Sequence, residues 1–392
     1  MTSPERNESD NLAAADETKD IVSMESLMEH LGGFEYWPVL IDDCKEVVAK
    51  FLDYKSLTKL GMCSKADKAL VAKIPYHVYG IEIADNENFQ YDYCSEKFDN
   101  VAVRVQFDRN YNSGKRFQMI FSQVGEDTEM QWMKHSPKRP IPKKSRLVEK
   151  SNYYEEAVKF FEMWLERCQY KIDSLSVEMS KFPFATSKIK SFPICTRVVI
   201  GADDNATCRW WLEKVPEELE SLRMVSSSEN RRSFTIPTNI LSLPQVMNAK
   251  YIKFECPARF TDKQFNSLKA TEMIMFDVSI PDDGINRFLK TWASGKGVNG
   301  FRQVVMSSRG SKQSRVLRGI DARQWDEAFE EENKEFVEDY HQCCIAGKMF
   351  QVRSHVEPLD SLTVSFSQNC ISIFATGKKA SNGENRTEYT IP

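Results

Sequence analysis

Histidine is scarce, with five in 392 residues, too few for a histidine-rich catalytic or metal centre. No Cys-x-x-Cys pair occurs, which removes the spacing shared by structural zinc sites and dithiol redox motifs. His341-Gln-Cys343-Cys344 is the one local His/Cys cluster, and it has no second pair to complete four ligands. Neither a metal nor a cofactor is expected. No apolar run approaches the ~20 residues that cross a bilayer. The opening MTSPERNESDNLAAADETKD has no basic n-region and no apolar h-region, so no secretory signal is expected. There is no Walker A loop, no G-x-S-x-G elbow and no H-E-x-x-H helix. With 16 glycines and 15 prolines the chain is neither collagen-like nor of low complexity.

What is present is ordinary globular material. The hydrophobic fraction is 41% and the charged fraction 28%, ample for sizeable cores in two or three domains. Lys plus Arg total 53 against 57 Asp plus Glu, a net charge of −4. That balance excludes a bulk nucleic-acid binder and a polybasic membrane-surface protein. The ten cysteines follow no framework spacing and, without a secretory signal, read as reduced, mostly buried thiols. The expected compartment is intracellular, cytoplasmic or nuclear.

Along the chain the fold class reads as α/β, α+β overall. Residues 1–33 combine an acidic, small-residue segment with a short helix over 21–33 closed by Gly32 and Gly33. The first dense block is 36–80. Asp42 is placed to cap a helix from Asp43 to about Leu52, with Leu40, Cys44, Val47, Val48, Phe51 and Leu52 on one stripe. A second helix spans about Ser56–Leu60, closed by Gly61, and Ser64 caps a third that stops at Pro75. Three helices in some 40 residues cannot bury a self-sufficient core, so this block is expected to complete itself on a partner or on the next domain.

The period then changes. Residues 81–133 alternate like a small antiparallel sheet, with turn chemistry between the runs. Residues 134–150, with three prolines and dense Lys and Arg, read as a basic linker. From 151 to 376 strands recur at Ser174–Glu178, Thr196–Ile200, Ser221–Val225, Tyr251–Glu255, Met273–Val278 and Phe301–Met306, in units of 22 to 30 residues with helical patterns between. That regularity predicts a degenerate leucine-rich-repeat-like strand–helix solenoid; a doubly wound sheet is the competing architecture. A charged helix over 321–340 and closing strands at Lys348–Val356, Ser361–Ser365 and Ile371–Ala375 follow, and 377–392 reads as a frayed tail.

Four local patterns invite chemistry. GKGVNG at 295–300 matches G-x-G-x-x-G but follows a helix and precedes a strand, the reverse of a dinucleotide fingerprint. The pairs Asp203-Asp204 and Asp282-Asp283 are sequence neighbours, which seldom face each other across a substrate, and Asp282-Asp283 stands ahead of a helix, where capping explains it. Trp132 beside Lys138, Arg139, Lys143, Lys144 and Arg146 offers one ring and several cations, a weak case for RNA. Of the adjacent Trp210 and Trp211 only one can point fully inward.

The block 38–70 resembles an F-box. The residues that carry the likeness are Pro38; Val47, Val48 and Leu52; Leu57 and Leu60; and Cys63-Ser64-Lys65 with Leu70. Asp282-Asp283-Gly-Ile-Asn286-Arg-Phe288-Leu289-Lys290-Thr-Trp292 and the closing strands look like the type-two F-box-associated domain of nematode proteins. The likeness covers about 36–80 and 190–376. It departs from the usual Leu-Pro opening, which reads Trp37-Pro38 here, and from the aromatic often found in the third helix. The resemblance implies a non-catalytic substrate-receptor subunit of a Skp–cullin–F-box ubiquitin ligase. It would dock on a Skp-family adaptor through Pro38, Leu40, Val47, Val48, Leu52, Leu57, Leu60 and Leu70, reach a cullin through that adaptor, and capture a protein substrate with its C-terminal domain. No nucleic acid and no membrane is implied. Two rivals stay open: an F-box scaffold outside ubiquitination, and an α/β enzyme with a cryptic site.

Overall fold

The computed structural model describes residues 36–85, 100–109, 116–134, 141–168, 171–180, 187–226, 234–275, 278, 280–307, 312–341, 347–357 and 360–377. The expectations for 1–33, for Cys343 and Cys344, and for the tail beyond Gly377 lie outside these residues. The chain divides into two compact units between Ile74 and Pro75.

The first unit opens with a 3₁₀ turn at Trp37–Val39, followed by helices α1 (Asp42–Lys50), α2 (Tyr54–Cys63) and α3 (Lys65–Lys73). Ser64 caps α3 by accepting from the Asp67 amide, as its sequence position predicts. Two boundaries need correction. Asp42 is not the cap of α1: Ile41 holds that position with extended backbone, and Asp42 and Asp43 sit in the first turn, where they favour the helix dipole. Gly61 does not close α2, which runs on to Cys63. A Cβ at Gly61 would stand 3.6 Å from Val71 of α3, an ordinary van der Waals contact, so this position is an unstrained part of the helix.

The second unit is built on one sheet of fifteen strands. Its elements are β1 (Gly80–Asp85), β2 (Asn100–Gln106), β3 (Arg116–Val124), β4 (Asp127–Lys134), β5 (Ile141–Val148), α4 (Tyr153–Arg167), β6 (Ile172–Glu178), β7 (Cys195–Gly201), α5 (Asn205–Leu212), β8 (Ser221–Val225), α6 (Thr238–Leu241), α7 (Pro244–Met247), β9 (Tyr251–Glu255), α8 (Asp262–Ser267), β10 (Glu272–Met275), α9 (Asp282–Ala293), β11 (Gln303–Ser307), α10 (Gln313–Val316), β12 (Ala322–Gln324), α11 (Glu327–Glu332), α12 (Lys334–His341), β13 (Lys348–Arg353), β14 (Ser361–Phe366) and β15 (Cys370–Thr376). Across the sheet the order is β12-β13-β14-β15-β11-β10-β9-β8-β7-β6-β1-β2-β3-β4-β5.

The antiparallel strands expected over 81–133 do not form a separate sheet. β1 pairs antiparallel with β2 on one side and parallel with β6 on the other, Ile81 opposite Leu175 and Ile83 opposite Val177. The basic stretch is not simply a linker either, because Ile141–Val148 forms β5 on β4. A terminal strand pairs on one side only and leaves its side chains in water, so it needs no apolar alternation to form. The expected charged helix at 321–340 is instead β12 followed by α11 and α12, separated by Asn333. The helical run 238–247 breaks into α6 and α7 because Pro244 has no amide to continue the first.

From β6 to β11 the strands are parallel and adjacent in chain order. Nowhere among them does the order reverse, as a doubly wound sheet requires. Their burial alternates. Leu222, Met224, Ile252, Phe254, Met273, Met275, Val304 and Met306 are buried, while Arg223, Lys253, Ile274 and Val305 on the other face stay half-exposed. One face therefore meets the packed layer and the other is open. At the antiparallel end α4 supplies the cover: Phe160 packs on Phe117 and Phe121 with ring centroids 5.8 and 5.6 Å apart, and Trp164 meets Tyr76 at 5.4 Å.

The remaining sequence motifs have structural duties. GKGVNG forms the turn from α9 to β11, with Gly295 and Gly300 at φ of 74° and 70°. Asp204 caps α5 through the Thr207 amide at 2.8 Å, and Asp203 accepts from the Ser226 hydroxyl. Asp282 accepts from the Lys312 amide and Asp283 pairs with Arg318 at 2.9 Å. Trp211 is fully buried, stacked on Phe192, and Trp210 is half-buried rather than exposed, edge-on to Trp211 and under Lys214. Burial pushes the Cys168, Cys195 and Cys208 thiols up to about 12, which keeps them protonated and inert.

Candidate functional site

The first unit puts its apolar side chains in an unusual place. Among its described residues the buried apolar ones are Ala49, Leu57, Val71 and Ile74, whereas Tyr36, Val39, Ile41, Val47, Phe51 and Met62 are exposed. Phe51 and Met62 are 83% and 82% exposed, so the large hydrophobes outside outnumber those inside. Periodicity explains the pattern. Cys44, Val47, Val48 and Phe51 follow helical spacing along α1, and that stripe faces water while Ala49 turns inward. An apolar stripe presented outward on a small helical unit is a candidate binding surface.

Polar contacts hold this surface in shape. The Trp37 indole donates to Asp67 Oδ1 at 2.8 Å, tying the 3₁₀ turn to the start of α3. Ser64 donates to the other carboxylate oxygen at 2.7 Å and accepts from the Asp67 amide. Asp53 caps α2 through the Ser56 amide at 2.7 Å, and Lys45 reaches the Pro38 carbonyl. The Ser64 and Trp37 hydrogen bonds hold the Asp67 carboxyl below its ordinary pKa, against the opposing effect of burial. The sign follows: a depressed folded pKa contributes stability that is complete above the unfolded value and is lost as pH falls through the folded one. Acidification below about pH 3.9, the unfolded aspartate value, is expected to release the Trp37 indole N–H, with its NMR resonance shifting toward the unbonded position. In Asp67→Asn that resonance is expected to have no acid transition in this range.

The residues picked from the sequence divide accordingly. Pro38 and Val47 are exposed, and Leu40, Val48, Leu52, Leu60 and Leu70 are half-exposed. Leu57, at 2% exposure, supports the surface from beneath and does not line it. Val39, Ile41, Phe51 and Met62 are exposed beside them and lie outside the contacts that the resemblance implies. Phe51 is on the apolar stripe that helical spacing predicts, and its exposure to water is a tertiary fact.

The second unit offers the open face of its sheet. There Arg104 pairs with Glu82 at 2.5 Å, Arg223 with Glu255 at 2.6 Å and Lys253 with Glu255 at 2.5 Å. Ser176 donates to Glu178, whose carboxyl is pushed up by burial and by the Glu82 charge beside it. Its charges are matched on the face itself. Among the described residues no group of three or more metal-capable side chains gathers, and no helix is long and apolar enough to cross a membrane.

Comparison with known proteins supplies the family. The chain is 40% identical over 377 residues to an F-box protein of Caenorhabditis elegans, covering 95% of this chain and 97% of that one. The chain belongs to the F-box proteins. No family model matches it, and no solved structure matches it. The exposed stripe of α1 therefore lies in the helical block of this F-box protein that carries the sequence resemblance.

Proposed function

We propose that this F-box protein is the substrate-receptor subunit of a Skp–cullin–F-box ubiquitin ligase. F-box proteins in general are non-catalytic adaptors that pair with a Skp-family protein. The observation that carries the reading is the outward apolar stripe Val47–Phe51 on α1. Together with Pro38, Val39, Leu40, Ile41, Val48, Leu52, Leu60, Met62 and Leu70 it forms a candidate surface for a permanent apolar partner. Leu57 holds the helices in register beneath. The second unit reads as a type-two F-box-associated domain. Parallel strands in chain order, one packed face and one open face support a leucine-rich-repeat-like solenoid that captures a protein. The ubiquitin-transfer chemistry belongs to other subunits.

Co-expression of the full chain with a Skp-family adaptor and a cullin tests this reading. The three are expected to co-purify, and Leu52→Arg is expected to lose both partners while the melting transition of the second unit is unchanged. Undiminished adaptor recovery with Leu52→Arg, or none with the wild type, overturns the docking. Adaptor recovered without cullin overturns the ligase assignment and leaves a scaffold.

A further inference from the structure

The fifteen-stranded sheet ends in two unlike strands. At one end β12 has three residues, and Arg323 within it is paired with Glu332. At the other end β5 has eight residues and, among the described residues, pairs with β4 alone. Its sequence, IPKKSRLV, contains three cations and no acid. Lys144, Ser145, Arg146 and Leu147 are all exposed, and because successive side chains alternate, both sides of the strand are open. Neither the Lys144 nor the Arg146 side chain makes an ion pair or hydrogen bond among the described residues. The open face of the same sheet, by contrast, matches its charges internally.

The register shows what each side presents. Lys144 stands opposite Trp132 and Arg146 opposite Met130, so one side carries two cations beside an aromatic ring. Trp132 is 39% exposed and rests edge-on against Phe117 at 4.7 Å. Ser145 stands opposite Gln131 and Leu147 opposite Glu129, so the other side is neutral to apolar along β5, with Leu147 51% exposed.

We propose that the free edge of β5 takes an extended acidic peptide as a sixteenth strand. Backbone hydrogen bonds would supply sequence-independent affinity, and side chains at alternate positions would supply selectivity. The peptide is read as acid-apolar-acid-apolar. Its carboxylates lie beside Lys144 and Arg146, and its apolar residues lie on the side of Leu147. Charge complementarity selects this occupant, since an edge of unpaired cations on a chain of net charge −4 attracts anions locally while the molecule as a whole repels polyanions. One exposed ring is too little stacking surface to favour single-stranded RNA. The contact depends on the receptor reading above only for what the peptide belongs to. It is measured without adaptor or cullin, so the two readings fail separately.

The test is fluorescence anisotropy of the full chain with a labelled eight-residue Glu–Val alternating peptide. Three controls are a Lys–Val peptide, a Glu–Val peptide N-methylated at every residue, and a uridine octanucleotide. The Glu–Val peptide is expected to bind and to weaken with salt. The N-methylated form, with equal charge but blocked strand pairing, is expected to lose at least about tenfold, as each missing backbone bond weakens a strand contact. Lys144→Glu/Arg146→Glu is expected to lose about tenfold or more for Glu–Val and to gain Lys–Val binding, because two attractions become repulsions. Should the double variant not fold, the peptide series alone decides. Equal binding of the N-methylated peptide, or tighter binding of the octanucleotide, overturns the proposal. So does absence of peptide binding together with self-association of the charge-reversed variant, since Lys and Pro then serve only to keep the edge from pairing with itself.

Discussion

Phe51→Asp is expected to weaken adaptor binding by about 2 kcal/mol or more, roughly thirtyfold, because a buried aromatic anchor is replaced by a charge that must be desolvated. Phe51 is 83% exposed in the isolated chain. Its backbone amide still closes α1 onto the Val48 and Ala49 carbonyls whatever the side chain. The stability of the chain should therefore fall by no more than about 1 kcal/mol, the cost of a negative charge at a helix C-terminus. Val47, one turn earlier on the same stripe, should behave alike. Leu57→Asp supplies the opposite signature: it buries an unpaired charge in a core of four apolar residues and is expected to unfold the helical unit. Calorimetric titration with a Skp-family adaptor, beside thermal melts of each variant, separates a contact residue from a core residue. Unchanged affinity for Phe51→Asp would remove the stripe of α1 from the docking surface.

Trp211→Ala is expected to cost about 3–5 kcal/mol, the range for a large aromatic removed from a core that cannot collapse around the void. The ring is fully buried, lies parallel to Phe192 with centroids 5.6 Å apart, and meets Trp210 edge-on at 4.7 Å. The Phe192 amide donates to the Lys214 carbonyl just past α5, so the stack also fixes the loop ahead of β7. Trp210→Ala should cost only about 1 kcal/mol, because that ring is half-buried and its contact with Lys214 is a partly solvated cation–π pair. Urea midpoints at equal slope measure both. Equal losses for the two tryptophans would mean that α5 packs on the sheet through a different face.

The fold was legible where the pattern is local. Ser221–Val225 and Tyr251–Glu255 are strands at the bounds their alternation implies, and Ser64 caps α3 because a hydroxyl three residues ahead of an amide can reach it. Element ends were less legible where two devices compete. At Asp42 the carboxylate suits both a cap and a first turn, and the backbone of Ile41 decided for the latter. At Gly61 the helix continues to Cys63 and ends at the extended Ser64, although glycine often ends a helix. Pro38, Leu52 and Leu57 carry a resemblance to an F-box in the sequence, and the relative 40% identical over 377 residues shows the family.

By itself the sequence determined the helix and strand periods, the absence of catalytic and ligand motifs, and a helical block too small to bury what it carries. Only the tertiary structure decided which side of each period faces water. Helical spacing makes Val47, Val48 and Phe51 a stripe, and the packing of α3 and Ala49 turns that stripe outward. Alternation makes β1 and β6 strands, and their long-range pairing merges two expected sheets into one. A basic, proline-bearing segment has no local reason to be a strand, and β5 is one because β4 lends it a ladder. Local propensity sets the period of an element within a few residues. Burial and pairing depend on partners far away in the chain, which no local pattern encodes.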